Sequence, residues 1–258
     1  MDLPLKVLDG KNALVIGGGG GGIGRAITRR LAASGAAIAI ADVDRERAED
    51  AAADVTAVGT RAISLMCDVR SREDLEDVVT NADQALGGLD VLVTVVGGHV
   101  AFAPSAPLHE TTDEDWDLIF DLNLRYVPRV VRLALRVFLA QGRGGTIVSV
   151  GSIIGCMGSP MAAAYGAAKA GLASLARSVA VEYGQQGIRM NVVTCGVIAT
   201  PVASAAQTGT EFDGIPMGRR GESREVADAT VFLASPLSSY ITGQSLVIDG
   251  GVTVRDPF

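Results

Sequence analysis

Seven short apolar runs recur along the chain, separated by longer stretches with helical periodicity. The runs are 13–16 (ALVI), 36–41 (AAIAIA), 61–67 (RAISLMC), 89–96 (LDVLVTVV), 145–150 (GTIVSV), 188–193 (IRMNVV) and 244–248 (QSLVI). The helical stretches fall near 23–34, 45–58, 72–86, 113–141, 162–184 and 223–234. In the first of these, Ile23, Ile27 and Leu31 share one face, with Arg25, Arg29 and Arg30 off it. Strands apolar on both faces must be covered on both faces, so the alternation predicts a parallel sheet between two layers of helices. Right-handed crossovers then give an α/β, doubly wound, seven-stranded sheet. No internal repeat and no Pro/Ser-rich linker interrupts the pattern, so residues 1–258 are expected to form a single domain.

Composition narrows the function. Apolar residues make up 48% of the chain, yet they are broken by charges and glycines. No run approaches the roughly 20 residues of a membrane span. The opening MDLPLKVLDG lacks the basic start and apolar core of a signal peptide, which points to the cytoplasm. Net charge is −7 and the 22 Lys and Arg are scattered, which argues against nucleic acid or an anionic membrane as partner. Cys67, Cys156 and Cys195 are odd in number and far apart, with no CxxC pair and no histidine at ligand spacing. Neither a disulfide framework nor a metal site is expected.

Six consecutive glycines, Gly17–Gly22, join the first apolar run to the first helical stretch. A linker would have polar flanks and would break the alternation. Here the run stands where a nucleotide-binding sheet carries its phosphate loop. Glycines there remove the Cβ atoms that would block a pyrophosphate, and the following helix N-terminus offers free N–H groups. Gly18, Gly22, Ile23 and Gly24 form the register that best explains the run, and Asp42 ends the second strand downstream of it. A carboxylate at that point accepts hydrogen bonds from the adenosine ribose hydroxyls and repels a 2′-phosphate; the other reading is a helix cap. Further on, Tyr165 and Lys169 stand four apart in a helical stretch and so share a face. Ser152 ends the fifth strand ahead of them, and Asn123 lies in DLNLRYVPRV.

In these motifs the chain resembles the short-chain dehydrogenase/reductase family over nearly its whole length. The family's cofactor loop reads TGxxxGIG, and Asn123, Ser152, Tyr165 and Lys169 match its catalytic tetrad in order and spacing. The resemblance implies Tyr165 as general acid/base, Ser152 orienting the substrate oxygen, Lys169 on the nicotinamide ribose, and Asn123 holding a relay water. Free tyrosine, with pKa about 10, is a poor base at neutral pH. Lys169 and the positive nicotinamide ring are therefore expected to bring the phenol down, with Lys169 the main source. Asp68 and Val69 resemble the adenine-contacting pair, while Gly97 matches the glycine that passes the ribose. Ile198 and Thr200 fall where relatives meet the nicotinamide amide or the phosphate. NADP-preferring relatives carry a basic residue at the positions of Gly21 or Val43, so NAD is the expected cofactor.

Three departures stand out. Gly17 replaces the family's threonine, which removes a bracing hydroxyl and predicts a more mobile loop. Thr94, Val95 and Val96 replace most of NNAG, so the usual asparagine brace is missing. Cys195 replaces a proline, which predicts a looser turn. The resemblance places the substrate pocket after strands four, five and six. Val100, Phe102, Ile154, Met157, Met161, Phe212 and Met217 make these segments mostly apolar, unless several face the core. His99 reads as a solvated loop residue and Ser149 as structural. The expected activity is hydride transfer between NAD(H) and a moderately hydrophobic secondary alcohol or ketone, a small-molecule substrate. A homotetramer is expected by resemblance. The alternatives are a 3-oxoacyl thioester reductase, or a non-catalytic NAD sensor or scaffold that would have no use for the Tyr165–Lys169 pair. A cofactor-free dehalogenase-like relative would carry arginine in place of Lys169.

Overall fold

Each of the seven runs contributes a strand to one parallel sheet in the computed structural model, which describes residues 6–99, 102–201 and 214–254. The first half comprises β1 (Asn12–Ile16), α1 (Ile23–Ala33), β2 (Ala37–Asp42), α2 (Arg45–Ala57), β3 (Ala62–Met66), α3 (Arg72–Leu86) and β4 (Val91–Thr94). There follow α4 (Asp113–Phe120), α5 (Tyr126–Gln141), β5 (Gly145–Ser152), α6 (Ala163–Tyr183) and β6 (Ile188–Cys195). Two-residue strands β7 (Ile198–Ala199) and β8 (Gly221–Glu222), then α7 (Ser223–Ala234) and β9 (Ser245–Ile248), complete the order. The sheet runs β3-β2-β1-β4-β5-β6-β9. The chain steps outward from β1 to β3 and then returns past β1 to β4. That reversal opens a crevice at the carboxyl ends of β1 and β4, where such sheets bind ligands.

Period-two alternation divides the side chains between two cores. Ala13, Val15, Ile38 and Ile40 point to the face covered by α1, α2 and α7, meeting Ile27, Leu31, Val55 and Val226. Leu14, Ile16, Ala39 and Ala41 point to the other face, where Leu75, Val79, Val130, Phe138 and Leu172 of α3, α5 and α6 cover them. Burial on both faces holds for the interior strands and fails at the edges. On β9, Leu246 and Val247 are 36% and 40% exposed, and on β3 Met66 is 56% exposed.

The continuous helix expected over 113–141 is divided. A wide π-helical turn, Asp121–Arg125, separates α4 from α5. Pro128 has no N–H to donate to the fourth residue before it, and its ring crowds that carbonyl, so the helix opens one turn earlier. Asn123 sits inside the opening. β5 and β6 run two residues further than their apolar runs suggest, because Gly151 pairs with Thr194 and Ser152 with Cys195. Cys195 thereby corrects the expectation of a looser turn. It ends a strand that is paired with β5 on one side and with Ile248 of β9 on the other. No helix among the described residues is long and apolar enough to cross a membrane.

Candidate active site

The glycine loop leaves β1 and enters α1 with Gly22 as N-cap. A Cβ at Gly24 would collide with the Gly17 carbonyl, and one at Gly19 would lie 2.8 Å from the Arg47 carbonyl carbon. These glycines let the loop fold back on its own chain and on α2. A Cβ at Gly20 would meet nothing within 4 Å, and one at Gly21 or Gly22 would reach only Pro201 or Thr200. The outer half of the loop is thus an open cradle before a helix N-terminus, which suits a pyrophosphate. Thr200 stands across from Gly22, its methyl carbon 3.4 Å from where that Cβ would be. Ile198, in β7, is buried close by in sequence.

Several bonds hold the loop in the absence of the threonine hydroxyl. The N–H groups of Gly17 and Gly18 donate to the Ala41 carbonyl at 2.8 and 3.1 Å. Thr28 Oγ1 donates to Gly18 O at 3.1 Å, and the Gly19 N–H donates to the Asp42 carboxylate at 3.1 Å. Asp42 is the last residue of β2 and is 8% exposed; its other oxygen accepts from the Asp44 N–H at 3.2 Å. The helix-cap reading of Asp42 falls, because Asp44 caps α2 by accepting from the Arg47 N–H. Asp68 accepts from the Arg70 side chain at 2.8 Å, which holds its carboxyl below the usual range, and Val69 is buried beside it in the chain.

The four tetrad candidates meet at the carboxyl end of β5. Lys169 Nζ, buried, donates to the Val150 carbonyl at 3.1 Å and lies 5.7 Å from the centroid of the Tyr165 ring. Burial pushes the Lys169 ammonium down to about 8. The Ser152 hydroxyl accepts from the Ile154 N–H at 3.3 Å and stands beside Tyr165. Burial pushes the Tyr165 phenol up, with Ser152 opposing it. The expected downward shift belongs to the site with the positive nicotinamide ring bound; in the chain alone burial prevails.

Asn123 is fully buried, and its side chain is committed to backbone. Its Oδ1 accepts from the Gly98 N–H at 2.9 Å, and its Nδ2 donates to Gly98 O and Ile119 O, each at 2.9 Å. Neither amide hydrogen is left for a relay water, so the side chain acts as a clamp on the segment that follows β4. Gly97 must be glycine there, because a Cβ would stand 2.5 Å from Asn123 Oδ1 and 2.8 Å from Lys169 Nζ.

Several contacts were not foreseen. Thr94 Oγ1 bonds Ser149 Oγ at 2.8 Å, and Tyr126 donates to the Val96 carbonyl at 2.9 Å. Together they brace β4 where the family's asparagine is missing. His99, read as a solvated loop residue, is half-buried with its ring stacked against Tyr165. Trp116 and Phe120, one turn apart on α4, stack on each other at 5.7 Å and join Ala103, Ile119, Ala164 and Tyr165 in a small apolar cluster. Their spacing was a visible signal; their proximity to Tyr165 was not. Of the expected pocket residues, Phe102, Met157, Met161 and Met217 are exposed, and Ile154 is half-buried. Val100 and Phe212 lie outside the described residues. Among the described residues no group of three or more His, Cys, Asp or Glu is placed to hold a metal.

Comparison with known proteins agrees with this geometry. Residues 18–253 match the family model described as enoyl-(acyl carrier protein) reductase. The cis-4-hydroxycyclohexanecarboxylate dehydrogenase of Sinomonas cyclohexanicum is 39% identical over 93% of this chain and 95% of its own. The 7alpha-hydroxysteroid dehydrogenase of Bacteroides fragilis is 36% identical over 95% of both chains. The 3-oxoacyl-[acyl-carrier-protein] reductase FabG of Thermotoga maritima is 34% identical over 96% of this chain and 99% of its own. A solved 7 alpha-hydroxysteroid dehydrogenase, complexed with NADH and 7-oxo glycochenodeoxycholic acid, superposes with TM-score 0.90 at 28% identity, covering 97% of this chain and 98% of that one. The chain belongs to the short-chain dehydrogenase/reductase family, as a nicotinamide-dependent oxidoreductase acting on alcohol and carbonyl groups.

Proposed function

We propose that the protein interconverts a ring-borne secondary alcohol and its ketone with NAD(H), and that Tyr165 carries the proton. The observation that bears most weight is the buried Lys169 ammonium one helical turn from Tyr165, 5.7 Å from the centroid of its ring, with Ser152 beside the phenol. When bound, the nicotinamide supplies or accepts the hydride. Tyr165 takes the hydroxyl proton during oxidation and returns it during reduction. Ser152 orients the substrate oxygen. Lys169 provides the ammonium that holds the nicotinamide ribose, and Asn123 keeps Gly97 and Gly98 in place beside it. Gly18, Gly22, Ile23 and Gly24 receive the pyrophosphate, Asp68 and Val69 the adenine, and Ile198 and Thr200 the nicotinamide end.

NAD is favoured over NADP by Asp42, whose carboxylate is fixed by two backbone N–H groups where the adenosine ribose would lie. No basic side chain stands at position 21 or 43 to meet a 2′-phosphate. A ring substrate is favoured by the aromatic and apolar cluster around Tyr165, and by the ring alcohols in the names of two relatives. The Thermotoga relative favours the 3-oxoacyl reading instead.

The test is a spectrophotometric panel of cyclohexanol, 4-hydroxycyclohexanecarboxylate, hydroxysteroids and 3-hydroxyacyl thioesters with NAD and with NADP. Turnover confined to the thioesters would remove the ring reading, and equal kcat/KM with NADP would remove the Asp42 argument. On an accepted substrate, Tyr165→Phe is expected to lower kcat by at least about 10²-fold while NAD still binds. Retention of more than a tenth of kcat would show that another group moves the proton.

A further inference from the structure

Beyond the tetrad, one further ring is placed against the phenol. The imidazole of His99 stacks on the Tyr165 ring with centroids 5.8 Å apart and planes 20° apart. Its backbone is pinned from both directions. Asn123 holds the preceding Gly98 by two bonds of 2.9 Å. The His99 carbonyl accepts from the N–H groups of Phe102 at 2.9 Å and Ala103 at 3.1 Å. The Phe102 ring lies close to Gly98. Tyr165 itself rides on the long helix α6, so both partners of the stack have rigid supports.

We propose that His99 is a positioning residue for Tyr165: its ring sets the tilt of the phenol and shields one face of it from water. The inference rests on Tyr165 as the proton-transferring group. A tyrosine ring at the end of its two side-chain torsions has broad freedom about the second, and a stacked neighbour removes much of it. Small misplacements of a reacting group cost rate steeply, up to about 10²-fold for an ångström. Burial lowers the His99 pKa, so near neutrality the imidazole stacks as an uncharged aromatic. Shielding by His99 is also part of the desolvation that pushes the phenol up.

The experiment compares His99→Ala, His99→Leu and His99→Phe with the parent and with Tyr165→Phe. Thermal melts and NADH fluorescence titration establish that each variant is folded and binds cofactor. On an alcohol the parent turns over, His99→Ala and His99→Leu are expected to lose about tenfold in kcat with NADH affinity unchanged. His99→Phe, which keeps a ring, should recover most of that loss. A substrate-free readout stands beside it. Ultraviolet difference titration of the parent against Tyr165→Phe reports the Tyr165 ionisation, and His99→Ala should move it downward as water reaches the phenol. Parental kcat in His99→Leu, or an unmoved Tyr165 ionisation in His99→Ala, overturns the proposal. So does His99→Phe falling as far as His99→Ala, which would mark the imidazole as a polar substrate contact. If Tyr165→Phe keeps its activity the proton-transfer reading fails and this inference with it. If Tyr165→Phe is inactive and the His99 variants behave as the parent, only the inference fails.

Discussion

Lys169 places an ammonium where burial opposes it. Its folded pKa of about 8 lies below the ordinary lysine value of 10.5, so the charged form is disfavoured by about 3 kcal/mol at neutral pH. Between pH 8 and 10.5 the unfolded chain binds the proton that the folded chain has released. Stability contributed by this residue therefore rises with pH across that window and is lowest below it. Lys169→Met removes the burial cost but leaves the Val150 carbonyl without its donor, at about 1–3 kcal/mol. The variant should be inactive, yet as stable as the parent or more so at pH 7. Its stability relative to the parent should then decline from pH 8 to 10.5. Denaturant unfolding at several pH values checks this, and a flat difference would mean that the ammonium keeps an ordinary pKa. The sequence made the Tyr165–Lys169 pair legible through helical spacing taken together with Ser152 and Asn123. The direction of the phenol's shift was not legible, because desolvation depends on what the other elements pack around it.

Loop and strand fit each other through exchanged sizes. The family's threonine and alanine are here Gly17 and Val96, and a Cβ on Gly17 would lie 2.7 Å from a Val96 methyl. The larger residue in the segment after β4 fills the space left by the smaller one after β1. Gly17→Ala is expected to destabilise by about 1–3 kcal/mol, since it adds this clash to a φ of +87°. Adding Val96→Ala should return only the steric part, because the Val96 backbone N also lies 3.0 Å from that Cβ. A double-mutant cycle measures the coupling, expected at about 0.5 kcal/mol or more. Additive effects would show that the two positions do not share the space. Either substitution alone looks like a weakened motif in the sequence; their compensation is visible only across two strands.

At the scale of the whole molecule, apolar surface remains uncovered on particular elements. Leu246 and Val247 of β9 are partly exposed, Val181 of α6 is 86% exposed, and Ala167 and Ala170 present small side chains on the outer face of the same helix. We propose that these faces meet further copies of the chain in a homotetramer. Light scattering at micromolar concentration should give about four times 26.5 kDa. A monomer would count against it, and Val181→Glu should shift the assembly towards smaller species. Two unpaired edges of this kind follow from the sheet order, which sets β3 and β9 outermost.

The sequence by itself determined the alternation of strands and helices, the glycine cradle at the switch point, the acidic end of β2 and the one-turn spacing of Tyr165 and Lys169. All of these are local: a strand period of two, a helical repeat, a run of glycines between strand and helix. Only the tertiary structure decided what lies next to them. It brought the Val150 carbonyl under Lys169, joined Thr94 to Ser149 in place of the absent asparagine, turned Asn123 into a clamp on Gly98, and laid His99 on Tyr165. Each pairing joins residues on different elements, and its strength comes from burial that exists only once the sheet is covered. Periodicity carries no record of such contacts, because many sequences share the period and few share the neighbours.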